Sequence, residues 1–125
     1  MKVGLDLDNT ITAAPWFYAA LTSGLHHFGH QIFIISFRDD SACSLTRAKN
    51  ELKEHKIIYD HIMLAPISEI NIGKWKARII DQYRIDLMID DMPEVLAVAS
   101  ERCQKLWVCS DYDLSQYIES LKDMV

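Results

Sequence analysis

Five short apolar runs, each followed by a stretch with helical periodicity, set the tightest limit on how this chain can fold. The runs are Val3 to Asp6, Gln31 to Ile35, a run within Ile57 to Leu64 centred on His61 to Leu64, Leu87 to Ile89, and Lys105 to Cys109. The second, Ile32-Phe33-Ile34-Ile35, has no polar alternation, as expected of a strand covered on both faces. Strands alternating with helices predict a parallel sheet with helices on both sides. With 125 residues there is enough chain for one core and little more. The expected fold is α/β: a single three-layer, Rossmann-like domain over 1–125 with a five-stranded parallel sheet.

The helices are expected as follows. Pro15 opens the first, with Trp16, Phe17, Ala20, Leu21, Gly24, Leu25 and Phe28 facing inward, and Gly29-His30 stops it. Ser41 caps a second that runs to about His55 over Leu45, Ala48 and Leu52. A third spans about Lys74 to Tyr83. Pro93 starts a fourth that continues to about Cys103. A last amphipathic helix begins at Asp113 and carries Leu114, Tyr117, Ile118 and Leu121. Ser36 to Asp40 reads as a polar loop, and Ala65 to Gly73 as another. His26, His27 and His30 read as a polar helix end, because neighbouring residues on a helix point apart.

In sheets of this kind ligands sit at the carboxyl ends of the strands, near the point where strand order reverses. Chemistry-bearing residues fall at those ends: Asp6 and Asp8 after the first strand, Ser36 after the second, and Asp90 and Asp91 after the fourth. Lys74 and Lys76 lie near the start of the helix before that fourth strand. They are roughly 200° apart around a helix, so one of them can point into the site and not both. Asp6 and Asp8 start on one face of an extended strand. Two carboxylates there are costly unless a cation compensates them.

Three aspartates around one point can hold a hard divalent cation through oxygen, and magnesium prefers few carboxylates plus phosphate oxygens. One carboxylate can then act as a nucleophile toward phosphorus, and a second as general acid and base. A serine hydroxyl and a lysine ammonium suit the phosphoryl oxygens, since this chemistry rests on positioning and charge compensation.

Asp6-Leu7-Asp8-Asn9-Thr10 after a strand resembles motif I (D-x-D-x-T) of the haloacid dehalogenase superfamily of phosphatases. Ile34-Ile35-Ser36 is similar to its motif II, and Leu87-Met88-Ile89-Asp90-Asp91 to its acidic motif IV. The resemblance covers nearly the whole chain, in the right order. It implies Asp6 as nucleophile and magnesium ligand, and Asp8 as acid/base that also lends its backbone carbonyl to the metal. It implies Ser36 as a phosphoryl-binding residue and Asp90 as a third metal anchor, with Asp91 sharing that role or orienting a metal-bound water. A lysine about fourteen residues before the acidic pair, as small family members carry, matches Lys76. Thr10 and Arg38 are candidate substrate contacts, the latter from its closeness to Ser36. The second motif I acid, Asp8, argues for phosphoryl chemistry over dehalogenation.

The intervals after motif I and between motifs II and III have no room for the cap domain that many relatives carry. That implies a bulky or macromolecular phosphorylated substrate, or a neighbouring copy of the chain acting as lid. The resemblance leaves open a nucleotide, a sugar phosphate or a phosphorylated macromolecule.

Other classes fit less well. A formal charge of −5 gives no basic footprint for general nucleic-acid binding. No stretch approaches a membrane span, and the N-terminus lacks a signal-like apolar core. Three cysteines without C-x-x-C spacing point to buried thiols in a reducing compartment, and so to the cytoplasm. A receiver domain shares the element order but needs an aspartate ending the third strand and a lysine ending the fifth, where this chain has Ala65 and Cys109. A phosphatase-like fold kept as a binding or regulatory subunit is the remaining rival.

Overall fold

The computed structural model describes residues 1–124. Five parallel strands, β1 (Lys2–Leu5), β2 (Gln31–Asp39), β3 (His61–Ala65), β4 (Leu87–Asp90) and β5 (Gln104–Trp107), form one sheet in the order β3-β2-β1-β4-β5. Between and after them lie α1 (Pro15–His27), α2 (Ala42–Glu54), α3 (Ile72–Tyr83), α4 (Pro93–Val98) and α5 (Asp111–Lys122). The chain steps outward from β1 to β3, then crosses to β4 on the other side of β1. The reversal of strand order therefore lies between β1 and β4, and Asp6 and Asp90 stand at their carboxyl ends. The expected α/β sheet architecture is what the structure has.

The helices α1 and α2 share one core face of the sheet, and α3 and α4 the other. On the first face Val3, Leu5, Ile32 and Ile34 pack against Tyr18 of α1 and Ala48 and Leu52 of α2. On the second, Phe33, Ile35 and Met88 pack against Trp75 and Ile80 of α3 and Leu96 of α4. Side chains alternate along each strand, which is why a single apolar run such as Ile32 to Ile35 feeds both cores. At Gly4, in the central strand, an added Cβ would lie 2.7 Å from Met88 Sδ and 3.0 Å from Ile35 Cδ1.

Several boundaries differ from the expectation, each for a local reason. β2 continues through Phe37 to Asp39, and its pairing with β3 shifts register between Ser36 and Asp39. The supposed polar loop is thus an irregular strand end. α3 starts at Ile72, capped by Asn71, whose side chain accepts the Lys74 N–H, so Gly73 lies inside the helix. α4 stops at Val98 and Ala99 is extended (φ −70°, ψ 152°). Beyond it, Arg102 bonds Asp86 and the Ile85 carbonyl, which anchors the turn beside β4 and leads the chain into β5.

The buried face of α1 is only partly the one expected: Leu21 and Leu25 pack against the core. Trp16 is 77% exposed and Phe28 likewise, while Tyr18 and Thr22 are buried. Thr22 donates its hydroxyl to the Tyr18 carbonyl and accepts the Ile58 N–H at 3.1 Å, so a polar residue ties α1 to the segment leading into β3. Of the three cysteines, Cys103 is buried but Cys43 and Cys109 are exposed. No described helix is long and apolar enough to cross a membrane.

Candidate active site

The switch between β1 and β4 concentrates charge. Asp6 follows β1 directly, and its backbone N–H donates to the Ile89 carbonyl at 3.0 Å, which seats it between the two strands. Asp90 is the last residue of β4 and is wholly buried. Lys76, on the second turn of α3, reaches across and donates to Asp6 Oδ1 and Asp90 Oδ2, each at 2.7 Å. Its side chain is 1% exposed. Lys74 is exposed on the outer side of the helix, so the choice between the two lysines falls to Lys76.

Carboxylate oxygens of Asp6, Asp90 and Asp91 lie within 4.8 Å of one another. One ammonium faces three acids. Burial pushes the Asp6 carboxyl up to about 7 against the pull of Lys76, with the nearby Asp90 raising it further. Burial raises Asp90 too, again opposed by Lys76. The cluster is short of positive charge, and its donors are hard oxygens. Both features fit a divalent cation such as magnesium at this point. Asp91 does not cap α4: Met92 is the cap residue, and its N–H is taken by Asp90 Oδ1 at 3.0 Å.

From Asp6 the chain enters a wide turn, Leu7–Ile11, kinked where Asn9 adopts left-handed backbone angles (φ 62°, ψ 5°). Asn tolerates that region better than most residues. The kink exposes Asp8 and returns Thr10 to the interior, where its hydroxyl donates to Asp6 Oδ2 at 3.0 Å. Thr10 is fully buried and orients Asp6 rather than facing the cavity.

Asp8 is gripped by Arg38. The guanidinium donates to Asp8 Oδ2 through Nε at 3.0 Å and to Oδ1 through Nη2 at 2.7 Å. Its remaining nitrogen, Nη1, bonds Glu51 of α2. These bonds hold Arg38 firmly protonated. Ser36 is buried in β2 and its hydroxyl accepts the Arg38 N–H at 3.3 Å. A cavity of about 280 Å³ opens over the acids, lined by Asp6, Asp8, Asn9, Phe37, Arg38, Ile72, Asp91 and Met92. Ser36, Thr10, Lys76 and Asp90 stand behind that lining. Glu51 and Asn9 did not emerge from the sequence. Asn9 beside two aspartates is the kind of residue that favours such a kink, but nothing local links Glu51 to Arg38.

No family model matches the chain, and no curated protein matches it in sequence. Its fold is similar to solved structures. Two chains from structures of the Pnkp1/Rnl/Hen1 RNA repair complex match with a TM-score of 0.71 at 15% identity; one match covers 88% of this chain and 43% of that one, the other 86% and 46%. This chain therefore spans less than half the length of either. The core domain of a protein assigned as a phosphoglycolate phosphatase from Streptococcus pneumoniae matches with a TM-score of 0.53 at 15% identity, covering 95% of both chains. At that identity the likeness is one of fold.

Proposed function

We propose that this chain is a magnesium-dependent phosphomonoester hydrolase of the haloacid dehalogenase type, working through an aspartyl-phosphate on Asp6. One observation carries the reading: a buried lysine bridges Asp6 and Asp90 at the strand-order reversal, with Asp91 in reach of the same point. A structural ion pair needs no third acid and no cavity above it.

Asp6, Asp90, Asp91 and the Asp8 carbonyl would hold the magnesium ion, which supplies charge compensation for the phosphoryl oxygens when bound. Asp6 is fixed by its backbone bond to Ile89, by Thr10 and by Lys76, so one carboxylate oxygen can meet phosphorus with little reorganisation. An Asp6 oxygen forms the bond to phosphorus as the ester oxygen leaves, and Asp8 donates the proton that the leaving oxygen takes. Asp8 then accepts a proton from the water that attacks phosphorus, releasing inorganic phosphate and the Asp6 carboxylate. From behind the lining Lys76 holds the Asp6 and Asp90 carboxylates, and Ser36 fixes the backbone of Arg38 beside the transferring group.

Arg38 has a specific part in this cycle. Its guanidinium donates to both oxygens of Asp8. A phosphoryl dianion is a strong bidentate partner for arginine. A bound phosphoryl group would therefore compete with Asp8 for the Arg38 Nε and Nη2 donors and free that carboxyl for proton transfer, with Nη1 still tethered to Glu51.

The cavity is open and uncapped, which suits a phosphate at the end of a large molecule. Two similar folds come from an RNA repair complex, so phosphorylated nucleic-acid ends stand first among substrates, ahead of nucleotides and sugar phosphates. A magnesium-dependent phosphate-release screen over those three classes tests the proposal. Turnover of one class, lost on chelation, is expected; release from none of them, with an aryl phosphate also untouched, would overturn it in favour of a non-catalytic binding subunit.

A further inference from the structure

The cavity over the acids is lined by two unlike sets of side chains. Asp6, Asp8, Asn9, Arg38 and Asp91 bring carboxylates, an amide and a guanidinium to it, whereas Phe37, Ile72 and Met92 bring no hydrogen-bonding side chain. The strand produces this division. Phe33, Ile35 and Phe37 alternate onto the face that α3 covers, while Arg38 turns to the other and meets Glu51 of α2. Phe37 lies within the register shift between Ser36 and Asp39, past the regular pairing of β2 with β3. Its half-buried ring is backed by the buried Trp75, with ring centroids 6.1 Å apart at an interplanar angle of 57°. Ile72 opens α3 and Met92 is the cap residue of α4, so helix ends hold both in place.

We propose that Phe37, Ile72 and Met92 receive a flat ring of the substrate, a nucleobase or an aryl group carried close to the phosphate, and that Phe37 is the residue that selects for it. This rests on the reading of the site as a phosphohydrolase. In that reaction the phosphoryl group belongs among the charged residues, which leaves the apolar side for the group it is esterified to. A sugar phosphate fits that side poorly. Its hydroxyls would give up water against three side chains that return no hydrogen bond. A flat ring loses nothing of the kind and gains offset or edge-to-face contact with Phe37, whose own orientation Trp75 already holds. Stacking on an aromatic face is tolerant of the base, so the same platform serves a nucleotide and the end of a nucleic acid.

Two matched pairs of ligands test this. Benzyl phosphate and cyclohexylmethyl phosphate share an alkyl leaving oxygen and differ in whether the ring is flat; a nucleoside 5'-monophosphate and ribose 5-phosphate differ in the base. Turnover is measured with magnesium on the esters, and binding by calorimetry on benzylphosphonate and cyclohexylmethylphosphonate, which cannot be hydrolysed. The wild type is expected to favour the benzyl compound roughly fivefold in both KM and Kd. Phe37→Leu, which keeps the side apolar without the ring, is expected to bring that ratio near one, and Phe37→Tyr to retain it, with far-UV circular dichroism checking that both fold. A matching preference for the nucleotide over ribose 5-phosphate identifies the ring as a nucleobase, and its absence as an aryl group. Equal binding of the two phosphonates by the wild type, binding of neither, or a ratio that survives Phe37→Leu would overturn the proposal even where the esters are turned over. A preference for benzylphosphonate without turnover of either ester would uphold the ring site and count against the hydrolase reading alone.

Discussion

Lys76 is the residue on which the electrostatics of the site turn. Its ammonium is the cation between two buried acids, and removing one partner from such a cluster strands charge that water cannot reach. Lys76→Ala is expected to lower stability by roughly 3–5 kcal/mol, read by chemical denaturation in the absence of divalent cations, and added magnesium is expected to recover part of the loss. An unchanged midpoint would mean that the bridge contributes nothing. Asp8 makes a separate prediction. As the proposed proton donor it would matter most when the leaving group is a poor one, so Asp8→Asn is expected to lower kcat roughly 10²–10⁴-fold on an alkyl phosphate and clearly less on an aryl phosphate. Equal losses on both would remove Asp8 from the acid role. At this scale much was legible. Asp6, Asp8, Asp90 and Asp91 stood at strand ends, while the family resemblance favoured Lys76 without settling the choice against Lys74; the structure is what places Lys76 between Asp6 and Asp90. Glu51 was not legible, because its contact with Arg38 depends on where α2 lands against β2. Thr10 was legible as part of the motif but not as a buried partner of Asp6, which needs the kink at Asn9.

Between the residue and the whole molecule, the elements follow the hydrophobic pattern where a run is apolar throughout and depart from it where polar groups decide. The five strands sit where the runs predicted. β2 runs on through Ser36 to Asp39 because β3 lies alongside to pair with it, something no local pattern encodes. α1 turns a face inward that includes Thr22, since a hydroxyl that bonds both its own helix and the Ile58 N–H satisfies burial as well as an apolar residue does. α4 gives way early because Arg102 fixes the turn beside β4. Close packing at β1 carries a prediction of its own. A methyl group at Gly4 meets Met88 and Ile35 at or inside contact distance, so Gly4→Ala is expected to destabilise the fold by roughly 1–3 kcal/mol. Denaturation of the variant checks this, and a stability equal to wild type would show that the two cores yield more readily than their packing suggests.

For the whole molecule, pH and ligand response bring these levels together. Asp39, Glu69 and Asp86 all accept bonds that pull their carboxyls below the ordinary values: Asp39 from Ser41 and Ser44, Glu69 from the Asn71 N–H and Arg78, Asp86 from the Lys2 N–H and Arg102. An acid depressed by folding stabilises the native state above its unfolded value and loses that contribution as pH falls through the folded one. The melting temperature is therefore expected to drop as pH falls below the ordinary carboxyl values of 3.8 for Asp and 4.5 for Glu. A melting temperature flat through that range would show that these bonds are not retained in solution. A five-stranded parallel sheet with helices on both faces was legible from the order of apolar runs, but the strand order and its reversal beside β1 were not, since no local pattern says which strands pair. The exposure of Leu114, Tyr117, Ile118 and Leu121 on α5 was not legible, since a stripe at that spacing reads as the inward face of an amphipathic helix. The most direct test of the central claim, that Asp6 is a nucleophile toward phosphorus, is thermal denaturation with magnesium and beryllofluoride, which mimics an aspartyl-phosphate. The wild type is expected to gain several degrees over magnesium alone and Asp6→Asn to gain none; no gain in the wild type, or an equal gain in Asp6→Asn, would contradict it.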